Sequence, residues 1–280
     1  MKKMIYGKCL IAIGVILLAA GCGSDLTYQP VMPVIEGWIG TDEYPEVIFT
    51  ATVSPEEKDV TIADKVIRWG KVTISDGENE VILTGDPEFE YMPPYRYITN
   101  KMKGEVGKTY RIVAEYEDLY ASAECRMLPP TPIQSITFSP IEGNDTLRSG
   151  ELTFISPEDT PAYYYVTMGN VDERSRPLPT MMGVYKAEEP GKTISIPLFN
   201  PKNKLDGNSF VPQLRVGDNL EITLCRVTEE VYEFWKSYDN AMMFGASQFL
   251  NSAHSVSGNI RGGLGVWSVQ GTTSQRIQVQ

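Results

Sequence analysis

The chain has 280 residues, of which 42% are hydrophobic, and carries a formal net charge of −11 at pH 7. This length and composition are sufficient for one large or two ordinary globular domains. The acidic balance argues against electrostatic binding to nucleic acid or to anionic lipid, because both need basic surfaces.

The first 21 residues have the anatomy of a signal peptide. Lys2, Lys3 and Lys8 precede an apolar stretch that is too short to span a bilayer, and small residues then lead to Cys22. The Ala-Gly-Cys ending resembles a bacterial lipobox, so we expect export and lipidation of Cys22, with residues 22–33 as a lipidated tether. The alternative is an ordinary cleaved signal peptide. Acyl chains would attach the mature protein to a membrane without basic patches.

Residues 34–128 predict an N-terminal β-sandwich of immunoglobulin-like or transthyretin-like type. Short runs alternate β-branched or aromatic residues with polar ones, and turn residues separate these runs. The hairpin formed by 110–113 and 120–123 has the clearest pattern. The predicted strands are 34–39, 47–53, 66–75, 80–83, 109–116 and 120–127.

The proline-rich segment 128–132 separates this region from a second β-rich domain, 129–280. Prolines cannot donate ladder hydrogen bonds and favour an extended connection. The stretches 170–190 and 200–216 are predicted to be long loops, and loops of that length are the first places to look for binding. The predicted strands of this domain are 133–138, 151–155, 163–168, 193–196, 220–226 and 274–279.

One amphipathic helix is predicted from about residue 229 to residue 247. Thr228 is a plausible N-cap, and Glu229 and Glu230 place negative charge at the positive end of the helix dipole. We expect its apolar face to pack on a sheet, with a partner-binding site as the alternative. That face consists of Val231, Phe234, Trp235, Tyr238 and Met242.

No catalytic constellation stands out, so we predict a non-enzymatic protein without a metal or cofactor. His254 is the only histidine, and no GxSxG motif accompanies it. The glycines at 262–265 lack the Lys-Ser/Thr pair of a phosphate-binding loop. The many carboxylates leave one alternative open, a surface hydrolase that uses an acidic pair in the second domain.

Two groups of residues are candidate site features. Tyr91, Tyr95 and Tyr97 lie in a proline-stiffened loop that could recognise a glycan or peptide, although capping of the sandwich core is the alternative. Cys125 and Cys225 fall in predicted strands. An oxidising compartment would allow a disulfide between them, and two buried, unpaired thiols are at least as compatible with the pattern.

Five segments, spread over nearly all of the mature chain, carry a family resemblance. They are 34–39, 107–110, 217–220, 232–235 and the Gly-rich segment Asn259–Trp267. Together they resemble the Bacteroidetes lipoprotein family of domain of unknown function 4249. The resemblance implies an outer-membrane lipoprotein that is usually encoded beside a TonB-dependent receptor, and therefore an accessory of nutrient uptake. It implies no catalytic residue.

We therefore expect the following partners: the membrane through the lipid anchor, a TonB-dependent receptor, and a glycan or peptide ligand, but no nucleic acid. The protein would lie on the outer membrane and face either the periplasm or the cell surface. A structural or adhesive surface protein is a further alternative.

Overall fold

The structure, a computed structural model, describes residues 30–53, 57, 59–89, 92–173, 176–201, 205–206, 209–244 and 256–280. The predicted signal peptide, Cys22 and most of the tether lie outside these residues, as do Tyr91 and His254. The predicted mainly β fold with one α-helix is confirmed for the described residues.

Eight strands precede the proline-rich segment. Their side chains alternate as expected: in the strand 109–116, Tyr110, Ile112 and Ala114 are fully buried and the residues between them are more exposed. The strands are β1 (Pro33–Gly40), β2 (Glu46–Ala51), β3 (Lys71–Ser75), β4 (Glu80–Ile82), β5 (Thr84–Asp86), β6 (Arg96–Ile98), β7 (Thr109–Tyr116) and β8 (Leu119–Arg126).

Ten strands and the helix follow the proline-rich segment. The helix begins at the predicted residue, Glu229, directly after Thr228. The elements are β9 (Ile133–Ile141), β10 (Asn144–Ile155), β11 (Ala162–Asn170), β12 (Leu178–Ala187), β13 (Thr193–Leu198), β14 (Leu205–Asp206), β15 (Ser209–Phe210), β16 (Leu214–Arg215), β17 (Asn219–Val227), α1 (Glu229–Phe244) and β18 (Leu264–Gln278).

Several sequence predictions are wrong in their bounds. The strand predicted at 151–155 begins at Asn144, and the predicted loop 200–216 contains the short strands β14, β15 and β16. The strand predicted at 66–75 begins only at Lys71, because Ile67 instead donates a backbone hydrogen bond to Phe49 in a loop. The predicted loop 170–190 contains the edge strand β12, whose pairing with β11 shifts register and hides the alternation. The last strand begins at Leu264 rather than Ser274, because it continues directly from the Gly-rich segment.

β18 joins the strands of both regions into one eight-stranded sheet with the order β12-β11-β17-β18-β1-β2-β6-β5. Its first half, Leu264 to Gln270, pairs in parallel with β1, and its second half, Gly271 to Gln278, pairs antiparallel with β17. The proline-rich segment therefore separates the two regions only in sequence, because β18 pairs with strands of both regions in the same sheet. Residues 31–280 form one compact unit.

Two smaller sheets cover one face of the large sheet, which we call the inner face. The sheet β4-β3-β7-β8 encloses a core with β1, β2 and the first half of β18. The strands β9, β10 and β13 enclose a second core with β11 and β17. Because side chains alternate along each strand, every second residue of β1, β11, β17 and β18 points to the opposite, outer face. The helix α1 lies against this outer face, in contact with β11, β12 and β18.

Candidate functional site

The described tyrosines of the predicted binding loop belong to the sandwich core. Tyr97 is 2% exposed, and its hydroxyl donates to the Ile67 carbonyl at 2.8 Å and accepts from the Gly70 amide at 2.9 Å. Tyr95 packs edge-on against Tyr97 and donates to the Arg68 carbonyl at 2.9 Å. Burial raises the pKa of Tyr97 to about 12. Tyr95 and Tyr97 therefore cap the sandwich core, which was the alternative to a glycan- or peptide-binding loop.

The two cysteines are free and buried in the structure. Cys125 lies 3.6 Å from the Thr228 hydroxyl, between β8 and the start of α1. Cys225 is on the outer face of β17, and burial, followed by the charge of Glu43, raises the pKa of its thiol far above the ordinary value. A neutral thiol of this kind packs as a small apolar side chain and is a poor nucleophile.

A cavity of about 230 Å³ opens on the outer face of the large sheet. Its floor is a row of polar side chains at every second position of β18. Residues of β1, β11 and β17 extend the floor, because strand pairing places them beside this row. The row is Ser268, Gln270, Thr272 and Ser274, with the apolar Val266 before it, and the neighbouring strands add Glu36, Trp38, Tyr165, Thr167, Glu221, Thr223 and Cys225. Hydroxyls, amides, carboxylates and aromatic rings therefore meet in one place.

The helix α1 forms an aromatic wall of the cavity. Trp235 lines the cavity, and its ring lies 5.2 Å from the ring of Tyr165 on β11. The buried Tyr165 hydroxyl donates to Gln270 and lies 3.3 Å from the Ser268 hydroxyl. Burial raises the pKa of Tyr165 well above its ordinary value, so the phenol stays neutral. Trp235 Nε1 is buried without a hydrogen-bond partner among the described residues.

Four carboxylates surround the cavity, and three of them form ion pairs with arginine. Arg176 binds Glu36 through two hydrogen bonds of 2.6 and 3.2 Å, and its guanidinium lies 5.7 Å from the ring centre of Trp38. The other two pairs are Arg96 with Glu46 at 2.8 Å and Arg276 with Glu221 at 2.9 Å. The fourth carboxylate, Glu43, forms no ion pair within the described part of the chain.

Glu43 lies in the turn that follows β1. Its amide donates to the Gly40 carbonyl, and its own carbonyl accepts from the Gly104 amide, so the backbone is fixed on both sides. Its carboxylate accepts a hydrogen bond of 3.4 Å from Thr272. Desolvation raises the pKa of Glu43 and exceeds the opposing effect of Thr272, while the nearby carboxylates of Glu221 and Glu46 raise it further.

The sequence contained partial signals of this cavity. The stretch 170–190, identified as a place to look for binding, supplies Arg176, Pro177 and Pro179 to its wall. The alternation of polar residues at 268–274 is visible in hindsight. No local pattern, however, could show that these residues meet β1, which precedes them by more than two hundred positions.

The described residues contain neither a metal-binding cluster nor a helix that could cross a membrane. Among them, no group of three or more His, Cys, Asp or Glu side chains is placed to hold a metal ion. The carboxylate of Asp76, in a turn that could have suggested calcium, instead accepts two backbone amides and Lys108. No described helix is long and apolar enough to cross a membrane.

The Gly-rich segment Asn259–Trp267 has a structural role, because its hydrogen bonds fix the position of the start of β18. The Asn259 side chain hydrogen-bonds both the amide and the carbonyl of Trp267, as a neighbouring strand would. Arg261 exchanges two backbone hydrogen bonds with Ser122 of β8. The Trp267 indole is fully buried and donates to the Tyr110 carbonyl at 3.0 Å. The segment thus fastens β18 to β8 and anchors it in the first core.

The comparison with protein families agrees with the resemblance seen in these segments. Residues 24–276 match the family described as Domain of unknown function (DUF4249). No curated protein matches the sequence significantly. Because the match extends over both regions of the fold and includes β1, α1 and β18, the chain belongs to the DUF4249 family.

Proposed function

We propose that this protein is an outer-membrane lipoprotein, anchored through Cys22, that binds a ligand without transforming it and serves a TonB-dependent receptor. The observation that carries the proposal is the cavity on the outer sheet face, which combines aromatic walls with several hydrogen-bonding groups. Such a combination is typical of small-molecule sites. The lipobox-like sequence and the family resemblance support the location and the link to a receptor.

The anchor is tested by replacing the lipidated cysteine. Cys22→Ala should move the protein from the membrane fraction to the soluble fraction, because one removed cysteine eliminates all acyl chains. Cys9→Ala, which changes the other cysteine of the leader, is the matched control and should stay in the membrane fraction. Immunoblots of separated inner and outer membranes provide the measurement. Retention of Cys22→Ala in the membranes would refute the lipoprotein assignment.

The accessory role is tested by cross-linking in intact cells and purification from native membranes. A TonB-dependent receptor should co-purify with the wild-type protein and with a variant such as Glu43→Gln that alters only the cavity. Purification of the lipoprotein alone, under conditions that preserve known receptor complexes, would contradict this part of the proposal.

A hydrolase remains the second candidate because one observation favours it. The raised pKa of Glu43, next to Glu46 and Glu221, is a property that general acids share. Glu43 and Glu46 both precede the proline-rich segment, so the acidic pair would not lie wholly in the second region. Mass spectrometry of glycan and peptide mixtures after incubation should show no new product if the protein only binds.

A further inference from the structure

The charges of the cavity are unevenly compensated. Glu36, Glu46 and Glu221 each have an arginine partner within 3 Å, whereas the described residues offer Glu43 only the hydroxyl of Thr272. Glu43 is exposed at the rim of the cavity, and the nearby carboxylates of Glu46 and Glu221 disfavour its ionised form. A ligand that brings a positive charge next to Glu43 would remove that penalty.

The position of Glu43 is fixed by the fold rather than by a flexible side chain alone. The carboxylate folds back over Gly40, where a Cβ would collide with it, so only glycine leaves room for this arrangement. The turn hydrogen bonds described above hold its backbone. The backbone of Glu43 is thus positioned before any ligand arrives, and one hydrogen bond from Thr272 holds its carboxylate, which reduces the entropic cost of binding.

The aromatic walls also favour a cation. The faces of Trp38, Trp235 and Tyr165 attract cations electrostatically. The chain provides an internal example at the same cavity, because the guanidinium of Arg176 lies over Trp38 while it pairs with Glu36. A ligand cation near Glu43 would repeat this combination of an aromatic face and a carboxylate.

The Nε1–H of Trp235, a residue that lines the cavity, is a second polar group without a partner among the described residues. A buried donor without a partner costs about 1–3 kcal/mol of stability. The Trp235 side chain is only 8% exposed. An acceptor atom on the ligand, such as a carbonyl oxygen, would satisfy this donor once the indole ring turns toward the cavity that Trp235 lines. An anionic group is a poor candidate for this acceptor, since the carboxylates around the cavity would repel it.

We propose that the cavity binds an organic cation, namely a primary amine or guanidinium such as the end of a lysine or arginine side chain, with Glu43 as its counter-ion. This inference rests on the proposed function, because it assumes that the cavity is a ligand site. It adds the chemical class of the ligand and the residue that selects it. The basic side chain of a peptide, with its backbone carbonyl near Trp235, satisfies both features at once.

The proposal is tested by calorimetry on the full-length protein in detergent, with agmatine and N-acetyl-arginine amide as cationic probes. Glucose, maltose and glutarate serve as neutral and anionic probes of similar size. Both cations should bind, and their affinity should fall several-fold when salt rises from 25 to 250 mM, because the screening length then shortens from about 20 Å to about 6 Å. Quenching of tryptophan fluorescence gives a second readout, since Trp38 and Trp235 line the cavity.

Glu43→Gln keeps the shape and removes the charge, and should weaken binding of the cations at least tenfold. Glu151→Gln is the matched control: it removes one negative charge from an exposed position on β10 and should change the affinity less than twofold. Thermal unfolding of both variants shows that they are folded. The salt dependence of the wild-type protein tests the proposal without any variant.

Three outcomes would overturn the inference. If neither cation binds, or if Glu43→Gln binds them as tightly as the wild type, Glu43 is not the counter-ion. If a sugar binds and the cations do not, the cavity remains a ligand site, so the proposed function stands and only the ligand class is wrong. If no probe binds and no receptor co-purifies, both proposals fail.

Discussion

Trp267 offers a direct measure of how strongly the Gly-rich segment holds the fold together. The indole is fully buried in the first core and makes one hydrogen bond, to the Tyr110 carbonyl. Gly37 of β1 lies against the ring, so close that a Cβ there would be 2.9 Å from a ring carbon. The ring therefore fills a space enclosed by β1, β7 and β18, and no neighbour can move in easily to replace it.

Two substitutions separate packing from hydrogen bonding at this residue. Trp267→Ala should lower the free energy of unfolding by about 3–5 kcal/mol, the usual cost of removing a large buried aromatic side chain. Trp267→Phe keeps an aromatic ring but removes the donor to Tyr110 and part of the volume. We expect it to cost about 1–3 kcal/mol, most of it from the lost hydrogen bond and the residual void.

Urea unfolding followed by circular dichroism provides the measurement, because a shift of the midpoint at constant slope reports stability alone. Trp69→Phe is the matched control: Trp69 is 87% exposed, so its replacement should change stability by less than about 0.5 kcal/mol. If Trp267→Phe were as stable as the wild type, the hydrogen bond to Tyr110 would contribute nothing. A cost below about 1 kcal/mol for Trp267→Ala would refute the packing argument as well.

Two further predictions concern the turn at Asp76 and the start of β18. Asp76 accepts hydrogen bonds from backbone amides of its own turn and from Lys108, and these hold its pKa at about 2, below the ordinary 3.8. The ionised Asp76 therefore stabilises the fold above pH 4, and this stabilisation is lost as the pH falls to 2. The free energy of unfolding from urea titrations should fall by about 1–2 kcal/mol over that range after allowance for solvent screening, and Asp76→Asn should abolish this part of the pH dependence. Gly265→Ala forces a side chain at φ +103° against the Ile35 carbonyl and should cost more than about 2 kcal/mol in thermal unfolding. Gly77→Ala, at φ +91° but in open space, should cost about 1 kcal/mol.

The elements that local patterns could predict are those with regular alternation between clear turns. β7 has the predicted bounds, Thr109–Tyr116, because its alternation is uninterrupted and Gly107 precedes it. The helix begins where Thr228, Glu229 and Glu230 predict it. In both cases the residues that determine where the element begins lie within about ten neighbouring positions of the chain.

β12 and β18 could not be predicted with the right bounds because their stability comes from distant partners. Met182, with φ +59°, interrupts β12, and the strand is held by its edge pairing with β11. The glycines before Val266 indicate a loop in sequence, yet Gly265 is the residue that lets β18 approach the Ile35 carbonyl of β1. A pairing of residues more than two hundred positions apart leaves no local pattern.

The candidate cavity follows from the way the outer face of the large sheet is covered. The aromatic face of α1 shields only part of that face, and the uncovered remainder must carry polar side chains. Most of these groups satisfy one another: Tyr165 with Gln270, and Arg176 with Glu36. A ligand gains little by competing with such pairs, since it must first break them. Among the described residues, Glu43 and the Nε1 of Trp235 lack a full partner, so the selectivity of the cavity should depend on them.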